Sequence, residues 1–350
     1  MNDIKLSLII CCYNVSSYLD DLYSLLCRQP YKNIEVIFVE DCSTDETKQK
    51  LNSIVVDDRM KVIYNDKNLG VSESRNIGMS FVTGNYIGFP DPDDMFDSNW
   101  LNEVAILITK YQPDVVVTGM REDYQYGMID KYSKNIISQF NGFIEKDFPE
   151  VLLDLEDTML FGYMNNKIYK SEIIFKNQIN CKTMALKEDY EFNIDFFRVI
   201  NNFYILNKPY YFYKKRIGAV TLTTKYVPEY FDIHKGSVNQ FKELLVSYHE
   251  LTDASKALLV NRFIRYFLSA IERNTDKKSL LTQSAQIEWI ENQIANDSNQ
   301  WYFDNCYYLT GKLKMVSPLV KHKMSKSLFV IGKILGIVKN KYPILFSKIK

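Results

Sequence analysis

The densest chemistry in this chain is Asp91-Pro92-Asp93-Asp94. Carboxylates packed this closely repel unless a cation sits among them. Hard oxygen ligands suit Mg²⁺ or Mn²⁺, which bridge one or two carboxylates and substrate phosphates. Pro92 stiffens the turn and removes an N–H. The plainer reading is a solvated acidic turn ahead of a helix near Asp97 and Ser98. A second acidic pair, Glu188-Asp189, heads a helical pattern. A carboxylate held there could take the proton of an attacking hydroxyl, or could be ordinary first-turn acid facing the helix dipole. Asp41 can only accept hydrogen bonds, which suits a base N–H such as N3 of uracil; it could also be first-turn charge on a helix over 43–54. Arg75 could neutralise a diphosphate or pair with Glu73 or Asp66. Neither GxxxxGK[ST] nor a GxGxxG after the first strand is present, so a diphosphate here would be held by metal and side chains rather than by a glycine cradle.

These residues need elements to bring them together, and the sequence supplies an alternating series. Strand patterns at 6–11, 34–39, 61–64, 86–89 and 114–118 alternate with helical patterns at 17–28, 43–54, 72–83 and 98–111. Ser43 with Glu46 reads as a capping box, and Pro30 as a helix stop. Such alternation implies an α/β fold with a mostly parallel, Rossmann-like sheet. Ligands bind such sheets at the carboxyl ends of the strands. The segments that follow the first four strands are 11–14, 40–43, 65–76 and 90–94, so the candidate residues fall on one edge. After Phe140 the alternation fades. A helix over 187–200 and a short aromatic strand over 210–213 remain, and from 229 onward the pattern is helical, with Phe241, Leu244, Leu245 and Tyr248 on one face.

Composition narrows the function class. The 350 residues are 46% hydrophobic and 25% charged, so the chain is globular. The formal net charge is +0, but all 43 acidic residues lie in 1–310, and 311–350 holds ten lysines and no acid. An acidic body argues against a nucleic-acid partner. Six cysteines without a CxxC pair read as free thiols in a reducing cytosol. The three histidines do not cluster, so no His-built zinc site is expected. No signal peptide is read at the N-terminus, and no apolar run reaches the roughly 18–20 residues that span a bilayer.

Five ordered motifs together resemble family 2 glycosyltransferases with the GT-A fold, of the bacterial capsule, lipopolysaccharide and exopolysaccharide kind. Ser7-Leu8-Ile9-Ile10-Cys11-Cys12-Tyr13-Asn14 resembles S-I-I-I-P-x-Y-N, and Val39-Glu40-Asp41-Cys42-Ser43-Thr44-Asp45 resembles V-D-D-G-S-T-D. Asn68-Leu69-Gly70 through Ser74-Arg75-Asn76 resembles N-x-G-x-x-x-A-R-N. Gly84 through Asp94 resembles G-x-Y-I-x-F-L-D-x-D-D, and Glu188-Asp189-Tyr190-Glu191-Phe192 resembles E-D-x-x-F. The resemblance covers about residues 4–195. It implies that Cys11, Tyr13, Asn14, Asn68 and Gly70 line the nucleotide and donor pocket, and that Asp41 contacts a uracil-type base. It places Arg75 near the diphosphate, Asp91 on the ribose or the metal, and Asp93 on Mn²⁺ or Mg²⁺. Asp189 becomes the general base of an inverting transfer, and Glu188 orients it or the acceptor. Tyr213, Lys214 and Arg216 resemble a later Y-x-x-R segment, with Arg216 on the pyrophosphate. Three positions depart from the pattern: Cys11 for proline, Glu40 for aspartate, which is tolerable if it points to solvent, and Cys42 for glycine.

The expected domains are a GT-A domain over 1–228, a helical region over 229–310 and a lysine-rich amphipathic tail over 311–350. The partners implied are a nucleotide-sugar donor and a saccharide or lipid-linked acceptor. In the tail, a helix over 325–341 puts Leu328, Ile331, Leu335 and Val338 on one side and Lys326 and Lys333 on the opposite side. A basic amphipathic helix reads as an anionic membrane-surface binder, which makes the chain peripheral on the inner face of the cell membrane. The alternative is that the apolar side packs on the preceding helices. Among rival functions, a nucleotidyltransferase would want a glycine-rich, basic loop after the first strand, and CCYNVSSY is not one. A catalytically degenerate, membrane-attached scaffold of a polysaccharide-assembly complex is the non-enzymatic alternative.

Overall fold

The computed structural model describes residues 4–126, 129–217 and 226–341. The chain divides into two compact units at Arg216/Ile217, ahead of the 228 boundary read from the sequence; residues 218–225 lie outside those described.

The first unit is built on one sheet. β1 (Leu6–Cys12) and β2 (Ile34–Glu40) are apolar runs buried almost throughout, as strands covered on both faces must be. β3 (Met60–Tyr64) and β4 (Tyr86–Gly88) complete a parallel set in the order β3-β2-β1-β4. α1 (Leu19–Cys27), α2 (Thr47–Ile54) and α3 (Val71–Met79) connect them. α1 buries Leu19, Leu22, Leu25 and Leu26, one face at helical spacing. α3 packs close on the sheet at Gly78, where an added Cβ would stand 2.5 Å from Ile9 Cγ2.

The capping box at Ser43 does not form. α2 starts at Thr47, whose N–H is met by Asp45 Oδ1 at 2.9 Å, because Asn14 engages both the Ser43 hydroxyl and the Thr44 amide.

The other half of the sheet is antiparallel, which the alternating pattern does not reveal. After β5 (Met95–Phe96) and α4 (Trp100–Tyr111), β6 (Val115–Tyr126) pairs with β7 (Ile129–Ile136) in a long hairpin. β8 (Gly142–Ile144) and α5 (Phe148–Asp157) follow. β9 (Lys167–Lys170) inserts antiparallel between β4 and β6. α6 (Ser171–Lys176) and α7 (Glu188–Phe197) precede β10 (Phe203–Ile217). β10 is far longer than the 210–213 segment expected, because β8 pairs with its first residues and β5 pairs near its middle.

The second unit is helical: α8 (Tyr230–Val246), α9 (Asp253–Asn274), α10 (Gln283–Ala295), α11 (Asp297–Asp304), α12 (Ser317–Lys321) and α13 (Ser325–Lys341). Phe241, Leu244 and Leu245 are buried as expected. On α9, Leu259, Phe263, Ile264, Phe267 and Ile271 form the core stripe, with Phe263 stacked on Tyr302 at 4.1 Å. α13 is no separate tail but packs on α9 and α10. Among the described residues, no helix is long and apolar enough to cross a membrane, and the cysteines are free.

Candidate active site at the carboxyl edge of the parallel strands

The strand register assembles the site. Cys12 lies beside Glu40 and Glu40 beside Tyr64, so segments 13–14, 41–43 and 65–70 emerge side by side. Asp41, immediately after β2, is only 3% exposed. Its carboxylate accepts hydrogen bonds from the Leu69 and Gly70 amides at 2.8 and 2.9 Å and from Asn65 Nδ2 at 2.8 Å. Asn68 Nδ2 donates to the Asp41 carbonyl at 3.3 Å. Gly70 caps α3 with φ +84°, a left-handed conformation that costs glycine little. The role that the sequence reading gives Asp41 on a base is therefore joined by a second: its carboxylate shapes the 65–70 loop.

Neighbouring motif residues are tied into the same edge. Asn14 Oδ1 accepts from the Thr44 amide at 2.8 Å, which fixes the loop after β2. Tyr13 keeps 46% of its surface open, leaving a ring free to stack. Cys11 is half-buried, and desolvation pushes its thiol up to about 12, so it is a neutral wall rather than a nucleophile. Cys42 takes φ +57° and is exposed; this left-handed position explains the glycine of the family pattern. Glu40 does not point to solvent, contrary to the sequence reading. It is 1% exposed, and its Oε1 accepts from the Ser43 amide at 2.7 Å.

Arg75 joins the two carboxylate clusters. Projecting from α3 and 5% exposed, it donates from Nη1 to Asp189 Oδ1 at 2.5 Å, and its Nη2 lies 3.6 Å from Asp91 Oδ1. Asn76, the next residue, exchanges two hydrogen bonds with the backbone of Cys181, at 2.9 and 2.8 Å. The pair Arg75-Asn76 thus holds the segment leading into α7 and the first turn of α7 itself. Desolvation pushes Glu188 up, and the adjacent Asp189 charge adds to this. Asp91 is pushed up to about 6: burial is the largest cause, Arg75 opposes it, and Asp189 and Asp93 reinforce it.

β10 closes the site from the other side. Arg216 bridges Asp93, at 3.1 Å, and the Tyr18 hydroxyl, at 2.9 Å. Tyr211, which sequence reasoning passed over, is fully buried. Its hydroxyl accepts from the Asp91 amide at 2.9 Å and donates to Asp94 Oδ2 at 3.0 Å. Asp94 Oδ1 also accepts from the Lys214 amide at 3.1 Å. Asp94 is thereby a structural member of the acidic turn, while Asp91 and Asp93 keep about a third of their side-chain surface open.

A second group missed by the sequence reading lies under the loop before β9. Lys167 is fully buried. Its Nζ stands within hydrogen-bond distance of four acceptors, more than its N–H groups can each serve separately: the carbonyls of Leu160 at 2.7 Å, Phe161 at 3.1 Å and Tyr163, and Asn166 Oδ1 at 3.0 Å. Burial pushes its pKa well below the ordinary lysine range. Asn193 Nδ2 supports the carbonyls of Phe161 and Tyr163, and its Oδ1 accepts from the Tyr169 hydroxyl at 2.7 Å. The loop so held delivers Asn165 Nδ2 to Asp91 Oδ2 at 3.0 Å. Lys167→Met would strip those carbonyls of their donor, and is expected to cost about 2–4 kcal/mol of stability. Thermal melting checks this; a loss below about 1 kcal/mol would mean that the ammonium does not hold the loop.

Among the described residues no group of three or more His, Cys, Asp or Glu side chains forms a metal cage. A 470 Å³ cavity lined in part by Ile4, Gly84, Asn85 and Ser171 lies by the residues that precede β1 and β4, at the opposite strand ends from these carboxylates.

A family model described as Glycosyl transferase family 2 matches residues 7–179. An uncharacterised glycosyltransferase of Haemophilus influenzae is 32% identical over 192 residues, 53% of this chain and 58% of its own length. The chain thus spans less than two thirds of that relative. WfaP of Escherichia coli, a UDP-Glc:α-D-GlcNAc-diphosphoundecaprenol β-1,3-glucosyltransferase, is 29% identical over 68% of this chain and 82% of its own length. Among solved structures, residues 1–349 of Staphylococcus aureus TarS with UDP-GlcNAc superpose with a TM-score of 0.65, covering 97% of this chain and 92% of that one at 20% identity. At that identity the likeness speaks to fold: an α/β GT-A architecture followed by a helical region.

Proposed function

Because the chain belongs to glycosyl transferase family 2, we propose that it moves a sugar from a UDP-sugar donor to a hydroxyl of a saccharide or lipid-linked oligosaccharide, with inversion, in cell-surface polysaccharide synthesis such as that of capsule, lipopolysaccharide or exopolysaccharide. The observation that carries this reading is the Arg75 guanidinium, which reaches Asp189 at 2.5 Å and Asp91 at 3.6 Å. One cation thereby sets the candidate base beside the candidate donor carboxylates. The naming of UDP rests on WfaP, a relative whose name specifies a UDP-sugar.

In this reading Asp189 takes the proton of the acceptor hydroxyl as that oxygen bonds to the anomeric carbon. The anomeric carbon–oxygen bond to the diphosphate breaks, and its electron pair leaves with UDP. Arg75 holds Asp189 through Oδ1 and so orients the carboxylate towards the acceptor. Asp41 and the 65–70 loop cradle the base, with Tyr13 available to stack on it. Arg216 counters negative charge beside Asp93.

Asp91 and Asp93 fit a divalent cation by the chemistry of their oxygens, and both keep about a third of their side-chain surface open. The upward push on Asp91 comes first from burial, with the Asp189 and Asp93 charges adding to it against Arg75. Mn²⁺ or Mg²⁺ on these two residues would neutralise charge on the leaving diphosphate. The lysine-rich 311–350 segment supports placement at the inner face of the cell membrane.

Calorimetry with UDP, GDP and dTDP, each with and without Mn²⁺, tests the reading. UDP should bind, and more tightly with metal. Asp93→Ala should remove the metal's contribution, a loss of at least about tenfold. Metal-dependent affinity should fall as the pH drops through about 6, where Asp91 takes up its proton. Failure of all three nucleotides to bind would turn the assignment towards the scaffold.

A further inference from the structure

α13 carries two apolar stripes, and they face different surroundings. Leu328 is fully buried and Phe329 nearly so, and Gly332 lets the helix approach α9 so closely that an added Cβ would stand 2.5 Å from Ile271 Cγ2. Ile331, Leu335 and Val338 flank that contact, half-buried. The stripe expected to be the apolar side of a membrane helix is therefore largely spent on the second unit's own core. Val330, Ile334 and Ile337 point elsewhere: they are 53%, 54% and 63% exposed. Their spacing of four and three residues sets them on one stripe, together with the exposed Lys326 and Lys333. A groove of 330 Å³ runs along this side, lined by Leu319, Lys326, Ser327, Val330 and Ile331.

We propose that this outer stripe of α13 seats on an anionic lipid surface, with Val330, Ile334 and Ile337 entering the headgroup region and the lysines pairing with lipid phosphates. The inference rests on the membrane placement proposed above and not on the catalytic assignment. It names the surface, and it states that α13 binds while still packed on α9 rather than by peeling away. Charge complementarity picks the occupant: Lys326 and Lys333 stand exposed on the stripe itself, in a 311–350 segment that has ten lysines and no acid, although Lys339 is already paired with Glu272 at 3.0 Å. Protein interfaces are depleted in lysine, whereas a helix lying in the plane of a bilayer pairs lysines with inserted aliphatic side chains. With its 17 residues, α13 runs about 25 Å along such a surface.

The test is co-sedimentation of the full chain with vesicles of phosphatidylcholine alone, or of three parts phosphatidylcholine to one part phosphatidylglycerol. The wild type should partition onto the anionic vesicles and much less onto the neutral ones. Lys326→Gln with Lys333→Gln should weaken partitioning by roughly tenfold or more, since each lysine near an anionic surface contributes about fivefold. The triple change Val330→Ser, Ile334→Ser, Ile337→Ser should weaken it at least as much. Val56→Ser, at a side chain 77% exposed in the first unit, should leave it unchanged. UDP affinity should stay constant across the set, which separates this result from the catalytic one. A wild type that ignores anionic vesicles would overturn both the membrane placement and this inference. A wild type that binds while the triple-serine protein binds equally well would overturn this inference alone. Self-association without lipid that the triple-serine protein loses would give the stripe to a second copy of the chain.

Discussion

Asp189→Asn is expected to lower kcat by about 10²–10⁴, the usual contribution of a positioned general base, while UDP affinity stays within about threefold. The amide is nearly isosteric, and its oxygen can still accept from Arg75 Nη1, as Asp189 Oδ1 does at 2.5 Å. What it cannot do is take a proton. The split between kcat and donor affinity is the useful readout, because a merely structural aspartate would lose both together or neither. Steady-state kinetics with the cognate donor and acceptor, set beside UDP calorimetry, gives it. Turnover within about tenfold of the wild type would mean that the base lies elsewhere.

Arg75→Met is expected to be the most damaging single change in the site. It leaves Asp189 and Asp91 without their shared cation in a mostly buried setting, and breaking a buried pair from one side costs about 3–5 kcal/mol. Arg75 also works against the burial that pushes Asp91 up to about 6. Without it, Asp91 should take up its proton at a still higher pH, and UDP binding at pH 7 should weaken. Arg75→Lys restores the charge but not the two-pronged reach, so it should recover stability better than turnover. Thermal melting, UDP titrations between pH 5 and 8 and steady-state turnover of the Arg75→Lys protein check these statements. A melting temperature and pH profile equal to the wild type would show that the guanidinium is incidental to the site.

The legibility of this site in the sequence followed its physics. Segments that end parallel strands were readable, because β1 and β2 are largely apolar, interrupted only by Ser7 and Glu35 before the strand ends, and whatever follows them must sit on the binding edge. That is why Asp41, Arg75, Asp91 and Asp93 fall on one edge from the sequence alone, whereas Asp189, in the first turn of α7, joins them only through the family resemblance. The antiparallel half was not readable. β9 is only four residues long and begins and ends with lysine, so it carries no strand periodicity. Lys167 is invisible for a related reason: a lone lysine reads as surface until the fold wraps carbonyls around it. Tyr211 sits in an aromatic run that reads as core, and its hydroxyl gains a role only when β10 passes the acidic turn. The condition set for Glu40, that it point to solvent, is not met, because the Ser43 amide donates to its carboxylate in the interior, a local contact that residue type alone does not reveal. On α13 the helix and its inner apolar side are legible, but not what covers that side: Leu328 and its neighbours pack on α9, as the alternative reading had it, and the exposed second stripe of Val330, Ile334 and Ile337 is not singled out by the sequence.

The hydrogen bonds from the Leu69 and Gly70 amides to Asp41 carry a thermodynamic consequence. They fix the 65–70 loop within the folded chain itself, so the loop proposed to receive the base is formed before any nucleotide arrives. The conformational entropy of that loop is given up during folding rather than on binding. Both amide protons should therefore exchange slowly with deuterium in the free protein, and adding nucleotide should change their protection little. Rapid exchange that slows sharply on nucleotide addition would mean a loop organised by its ligand. Under the proposed assignment, a preformed cradle would make the nucleotide a rigid handle, its affinity spent on holding the donor.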